Sequence, residues 1–319
     1  MKRLKTAPLR RARWTFIYLV ILMAVAAACG TGEEKEAATD GRLKVTSTIG
    51  MIHDVVAHIG GERVEAQGLM GPGTDPHLYK ASQGDIRKLD EADIIFYNGL
   101  HLEGKMGEVL EKLEKQKTVV AVTSTIPKER LMLVDDAGEG TYDPHVWFDV
   151  RHWISAAEVI AATLAEQDFA HAEEYKQRAA DYIAQLEELD RYAREQIAFI
   201  PAERRILVTA HDAFGYFGLA YGIEVTGLQG ISTASEYGSK DVSDLRDYLV
   251  KHKIKAVFIE SSVPKRSIEA VIEGAKKLGH QVDIGGELFS DAMGQEGTAE
   301  GTYIGMFRHN IDTIVQALK

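Results

Sequence analysis

The chain has 319 residues, 45% of them hydrophobic, and its 37 basic against 48 acidic side chains give a net charge of −11. That length exceeds one comfortable core and predicts two domains, and the acidic excess does not suit nucleic acid as a partner. A single cysteine, Cys29, excludes a disulfide framework.

The amino terminus opens with Lys2, Arg3, Lys5, Arg10, Arg11 and Arg13, followed by an uncharged apolar run from Trp14 to Ala28. A basic stretch before an apolar run shorter than the ~20 residues of a spanning helix reads as an export signal. The run ends in Ala26-Ala27-Ala28-Cys29. This resembles a bacterial lipobox, which implies cleavage before Cys29 and acylation of its thiol and new amino group. An ordinary signal peptide or an uncleaved anchor would instead leave an exported protein with a lone reactive thiol. Removal of residues 1–28 takes away six basic residues and no acidic one, so the net charge drops by six from −11 to −17. The cleaved and acylated chain has no free thiol, so a metal site in it would be built from nitrogen and oxygen. Residues 29–41, ending in the polar GTGEEKEAATDG, read as a tether, with folding from Arg42.

Short β-branched runs then recur between longer amphipathic stretches. Strands are predicted at Leu43 to Thr46, Arg63 to Gln67, Asp93 to Tyr97 and Thr118 to Val122. Four more are predicted at Arg205 to Val208, Glu224 to Thr226, Ala256 to Ile259 and Gln281 to Ile284. Strands alternating with helix-length segments imply an α/β fold of two lobes, each a parallel four-stranded sheet flanked by helices. Ala170 to Ile200 lacks Gly and Pro and places apolar residues near a helical period. One rigid helix of about 46 Å is predicted there, at about 1.5 Å per residue. The expected organisation is an N-terminal lobe over 42–168, a linking helix over 169–200 and a C-terminal lobe over 201–319.

Thr74-Asp75-Pro76-His77 and Tyr142-Asp143-Pro144-His145 place Asp-Pro-His twice, each after a glycine-rich approach. Proline fixes its own φ and biases the preceding residue toward extended backbone, so each copy presents an imidazole from a stiff loop. Asp75 and Asp143 are candidates to accept the ring N–H turned away from a metal. For one histidine alone a structural hydrogen-bonding role is the better reading, and the repetition reverses that preference. His211 stands at the carboxyl end of a predicted strand, where it could coordinate or merely cap the next helix. Asp291 follows the last strand and could coordinate or serve as an N-cap. Glu260, at the end of KAVFIESS, could reach the cleft, but the preferred reading is that it holds a second-lobe loop by hydrogen bonds. His53, His58, His101, His152, His171, His252, His280 and His309 lack such a context and are not assigned to a site.

The segments DPHLYKASQGDIRKLDEADIIFYNGLHLE, DPHVWFDV, VTAHDAFGYFGLAYGIEVTGLQGIS and ELFSDAMGQEGTAEGTY together resemble the metal-binding solute receptors of ABC transporters, the manganese- and zinc-receptor lipoproteins. The resemblance runs from about Lys44 to the carboxyl end. It implies two α/β lobes joined by a long helix and one divalent metal ion, Mn²⁺ or Zn²⁺, as the transported ligand. The ligands it implies are His77, His145 and Asp291, with His211 at a position where some manganese receptors have glutamate. It further implies an ABC permease and its ATPase as partners, attachment through Cys29 at the outer face of the cytoplasmic membrane, a monomer, and no enzymatic activity. Between the first two ligand histidines the chain has only His101, without the long His- and acid-rich loop of many Gram-negative zinc receptors. GLQGIS and IGGELFSDAMG look most like the manganese-binding lipoproteins of Gram-positive bacteria, so Mn²⁺ is favoured over Zn²⁺. The rivals are a zinc-specific receptor, a metal-dependent hydrolase, a surface adhesin and a receptor for chelated metal. No nucleophile elbow, phosphate loop or HExxH helix supports the hydrolase.

Overall fold

In the first half, the strands β1 (Leu43–Ser47), β2 (Val64–Gly68), β3 (Ile94–Tyr97) and β4 (Thr118–Ala121) form one parallel sheet in the order β2-β1-β3-β4. The computed structural model describes residues 41–134 and 140–319, and the expected export signal, Cys29 and nearly all of the tether lie outside them. The central strand β3 is the apolar run Ile94, Ile95, Phe96, all buried, as a strand covered on both faces requires. Helices α1 (Gly50–Gly60), α2 (Gln83–Glu91) and α3 (Gly107–Glu114) connect the strands. Ser82 and Asp85 close a reciprocal capping box that fixes the start of α2.

The helix α4 (Val150–Gln167) follows, its amino end capped by the Asp149 side chain. The long helix α5 is Ala172–Ile197, 26 residues instead of the 31 expected, or about 39 Å at the usual rise. A short 3₁₀ turn at Phe169–His171 precedes it. At its carboxyl end Phe199 and Ile200 donate to carbonyls three residues back, a tightening that Pro201 imposes by disfavouring α geometry before it.

In the second half, β5 (Ile206–His211) pairs in parallel with β6 (Glu224–Gln229), and β7 (Ala256–Glu260) pairs in parallel with β8 (Asp283–Leu288). The four strands therefore form two parallel pairs, where the sequence suggested one continuous four-stranded sheet. β5 lies beside β7. At the carboxyl end of this seam the His211 N–H donates to the Glu260 carboxylate at 2.8 Å, so a side chain takes the donor that a continuous ladder would give to a carbonyl. Helices α6 (Gly215–Tyr221), α7 (Ser239–His252), α8 (Arg266–Lys277) and α9 (Tyr303–Leu318) complete this half. Gly227 in β6 is obligatory, because a Cβ there would lie 2.5 Å from the Asp212 backbone nitrogen.

Residues Arg42–Lys319 form one compact unit. A single hydrophobic cluster runs from Val45 and Ile52 through Trp147, Trp153, Tyr182 and Leu186 to Phe214, Phe217, Tyr303 and Phe307. A smaller cluster, including Val208, Leu249, Val257 and Val271, lies within the second half. The two halves are thus bonded by shared core as well as by α5. Asp54 of α1 is the polar node of that junction: its carboxylate accepts the Tyr182 hydroxyl of α5 and the Tyr303 N–H of α9, each at 3.1 Å.

Asp54→Ala should strand two buried donors from two other helices. We expect a loss of about 2–4 kcal/mol, read from urea unfolding of the metal-free protein. A change below about 0.5 kcal/mol, the level of an ordinary surface substitution, would remove Asp54 from this role.

Candidate metal centre

Each Asp-Pro-His copy forms the same local turn. The Asp75 carboxylate accepts the His77 N–H at 2.9 Å, and Asp143 accepts the His145 N–H at 2.9 Å. An aspartate bonding the backbone two residues on closes an Asx turn, and the intervening proline stiffens it. The first copy follows β2, and the second leads into a 3₁₀ turn at Val146–Phe148. His211 is the last residue of β5, and Asp291 stands three residues after β8. No helix begins at Asp291, and the next helical turn, Ala299–Gly301, is capped by Thr298 instead.

The structure brings His77, His145, His211 and Asp291 together, with one ligand atom of each within 4.8 Å of all the others. All four are buried, none more than 4% exposed. The Nε2 atoms of His77 and His145 lie 3.3 Å apart. Asp291 turns Oδ1 to His145 Nε2 at 3.3 Å, and Oδ2 to His77 Nε2 at 3.5 Å and to His211 Nε2 at 3.4 Å. Bonds of about 2.1 Å to a central ion give tetrahedral edges near 3.4 Å, so these separations fit a first-row divalent cation. Neither Asp291 oxygen has a hydrogen bond, although both are inaccessible to water. A buried carboxylate left this way is costly unless a cation completes it.

Carboxylates behind two of the rings set their chemistry. His145 Nδ1 donates to Asp143 at 2.7 Å, and His211 Nδ1 is in close contact with the Glu260 carboxylate, which also accepts the His211 N–H. A carboxylate on Nδ1 keeps the proton there and turns the Nε2 lone pair inward. Glu260 thus holds both the backbone and the ring of His211, a more direct part than the loop-holding expected of it. Asp75 does not do for His77 what was expected: its second oxygen accepts the Thr233 hydroxyl at 2.6 Å and leaves the His77 ring alone.

Burial pulls the His145 ring toward neutrality, but Asp143 and Asp291 outweigh it and hold its pKa at about 9. Burial likewise opposes charge on His211, and Glu260 and Asp291 override it, raising this ring well above the ordinary histidine value. Desolvation dominates at His77, whose pKa falls to about 4. Burial would raise Asp291, yet the His211 and His145 imidazoles hold it well below the usual carboxylate range.

The loop carrying His145 is clamped from several sides. The Trp147 indole donates to the Ser290 carbonyl at 3.1 Å, tying the residue before Asp291 to this loop, and the Tyr303 hydroxyl donates to the Trp147 carbonyl at 2.7 Å. The Tyr216 hydroxyl donates to the Asp143 carbonyl at 2.9 Å, while Asn98 donates to the Pro144 carbonyl at 3.0 Å. Asn98 is itself set by Glu103, which accepts its N–H at 2.7 Å and the Thr48 hydroxyl at 2.7 Å. None of these positioning residues was identified from the sequence. Trp147 lies inside the second Asp-Pro-His segment, so its proximity in sequence was the one available signal. The unassigned histidines stay outside the cluster: His171 bonds Asp168, while His280 and His309 meet the carbonyls of Ile254 and Glu287.

Residues 45–317 match the family described as ZnuA, zinc-uptake complex component A, periplasmic. The chain is 54% identical over 292 residues to the manganese-binding lipoprotein MntA of Bacillus subtilis, covering 91% of this chain and 94% of that one. It is 52% identical over 284 residues to the zinc-binding protein TroA of Treponema pallidum, covering 89% and 91%. The solved structure of the periplasmic zinc-binding protein TroA from Treponema pallidum superposes with a TM-score of 0.85 at 52% identity, covering 87% of this chain and 99% of that one. A three-imidazole, one-carboxylate centre in a chain matched along nearly its whole folded length admits one assignment: the chain belongs to the ZnuA family of metal-binding receptors of ABC transporters, which bind a substrate and are not enzymes.

Proposed function

We propose that this protein is a lipoprotein, anchored through Cys29 at the outer face of the cytoplasmic membrane. It captures one divalent ion through His77, His145, His211 and Asp291 and passes it to an ABC permease driven by its ATPase. Residues 42–168 supply the first two ligands and residues 201–319 the other two, with 169–200 as the link. The observation that carries this reading is Asp291, a fully enclosed carboxylate with both oxygens turned to imidazole nitrogens and no hydrogen bond on either.

Mn²⁺ is the proposed physiological cargo. The relatives named for manganese and for zinc are almost equally similar, at 54% and 52% identity, so the preference rests on the site and the sequence around it. Because Oδ1 and Oδ2 both face the cluster, Asp291 can chelate through two oxygens and raise the coordination number above four. That suits Mn²⁺ better than tetrahedral Zn²⁺. First-row affinities rise from Mn²⁺ toward Zn²⁺ at a given site, so Zn²⁺ should still bind more tightly in a test tube. Elemental analysis of protein isolated from cells without added metal should find manganese. Zinc at full occupancy from manganese-replete cells would reverse the preference.

His77→Ala, His211→Ala and Asp291→Ala should each weaken both metals by roughly a hundredfold or more in calorimetric titrations, and Glu260→Gln by about 10–100-fold. Parent-like binding by all three ligand variants would show that the site is elsewhere.

The raised His145 and His211 should be protonated in the empty centre at pH 7, whereas His77 is already neutral. Two imidazolium protons carry the charge of one divalent ion, so capture should release about two protons and affinity should climb with pH, the His145 contribution levelling off as the pH approaches about 9. Binding heats should accordingly differ between buffers of high and low ionisation enthalpy. Identical heats in both would contradict the proton exchange.

A further inference from the structure

The four ligands are not held alike. His145, His211 and Asp291 are held by buried bonds: Trp147 to Ser290 at 3.1 Å and Tyr216 to Asp143 at 2.9 Å cross between the halves, and within the second half the Glu260 carboxylate accepts the His211 N–H at 2.8 Å. The stack of Phe148 on Phe214, with centroids 4.3 Å apart, closes the same junction. His77 sits on a loop that two cavities adjoin. Gly71, Pro72 and Thr74 line a cavity of about 260 Å³ that also reaches Asp291. His77 itself lines another of about 230 Å³, walled by Tyr142, Pro144 and Ile231.

Among the described residues, one hydrogen bond outside the ligand cluster joins the His77 loop to the second half: the Thr233 hydroxyl donates to Asp75 Oδ2 at 2.6 Å. The other oxygen of the same carboxylate accepts the His77 N–H, so Thr233 acts on the ligand through one rigid Asx turn. Thr233 is anchored in turn. Gln229 pairs with His211 across the β5–β6 ladder, and its side-chain amide donates to the carbonyls of Thr233 and Ser235, each at 2.7 Å. The strap that reaches Asp75 therefore starts beside another ligand.

We infer that Thr233 is a positioning residue that keeps His77 on the captured ion, and that the ion leaves on the His77 side when this one hydroxyl-to-carboxylate bond opens. The inference rests on the proposed role of His77 as a ligand. Breaking a hydrogen bond to a charged acceptor changes an equilibrium by roughly tenfold or more, and here the change falls on the bound state. The Thr233 hydroxyl bonds Asp75 rather than a ligand atom, and its loop is half-exposed, where substitutions change stability little.

The test is release of Mn²⁺ and of Zn²⁺ from the loaded full-length protein into excess fluorescent chelator, followed by stopped flow. Thr233→Val, which keeps the shape and loses the hydroxyl, should release both ions roughly tenfold faster with little change in association rate, as should Thr233→Ala. Thr233→Ser should restore parental release, and the melting temperature of the metal-free protein should not move in any of the three. Parental release from Thr233→Val, or equally fast release from Thr233→Ser, would overturn the inference. His77→Ala separates the two levels: if it binds weakly while Thr233→Val behaves as parent, only the latch is wrong, and if it binds as parent, the ligand assignment itself fails.

Discussion

Everything around the centre answers to one constraint, the burial of the Asp291 carboxylate against three imidazoles. A carboxylate enclosed in protein is stable only with positive charge close by, and the neighbours supplied are three imidazole nitrogens at 3.3–3.5 Å. The carboxylates around His145 and His211 favour protons on both rings and raise them above the ordinary histidine value despite their burial. The same carboxylates that hold those protons would favour a divalent ion in their place. Proton and metal would thus compete for one electrostatic hole.

The carboxylates one layer out decide how the rings are offered. Asp143 and Glu260 occupy Nδ1 of their histidines, leaving Nε2 as the inward donor atom. These two also bond the backbone of the residue whose ring they orient, so ring and chain are fixed by one group. His77 has the same backbone turn with a different outer connection, since the free oxygen of Asp75 goes to Thr233 across the cleft. Two copies of one tripeptide thus serve different ends, and tertiary surroundings make the difference.

The four residues that cluster were legible in the sequence because their signals were local. A doubled Asp-Pro-His, a histidine at a strand end and an aspartate after the last strand are patterns of neighbouring residues, and the resemblance joined them. The strands were placed within a few residues for the same reason. What escaped depends on contacts between distant segments. Trp147 against Ser290, Tyr216 against Asp143 and Thr233 against Asp75 are separated by 143, 73 and 158 residues, and no periodicity encodes them. Asp75 was expected to act like Asp143 because the two tripeptides are identical, and only the fold distinguishes them. The second sheet was read as one four-stranded ladder because strand propensity does not say which strands will hydrogen-bond to one another.

The shared core bears on how such a receptor can open. A wide separation of the halves would pull Trp147 from Ser290, Tyr303 from Trp147 and Phe148 from Phe214, and would expose aromatic surface buried at the junction. Each fully buried aromatic group contributes about 1.5–3 kcal/mol by staying covered, so rigid-body opening of that kind is expensive several times over. Among the described residues, displacing 71–77 breaks a single hydrogen bond to the other half, and two cavities adjoin these residues. The cheaper motion is the local one. If the cluster holds the ion as proposed, three of its residues are locked into the interior and the fourth is on a tethered loop, an arrangement that allows release without unpacking the core that built it.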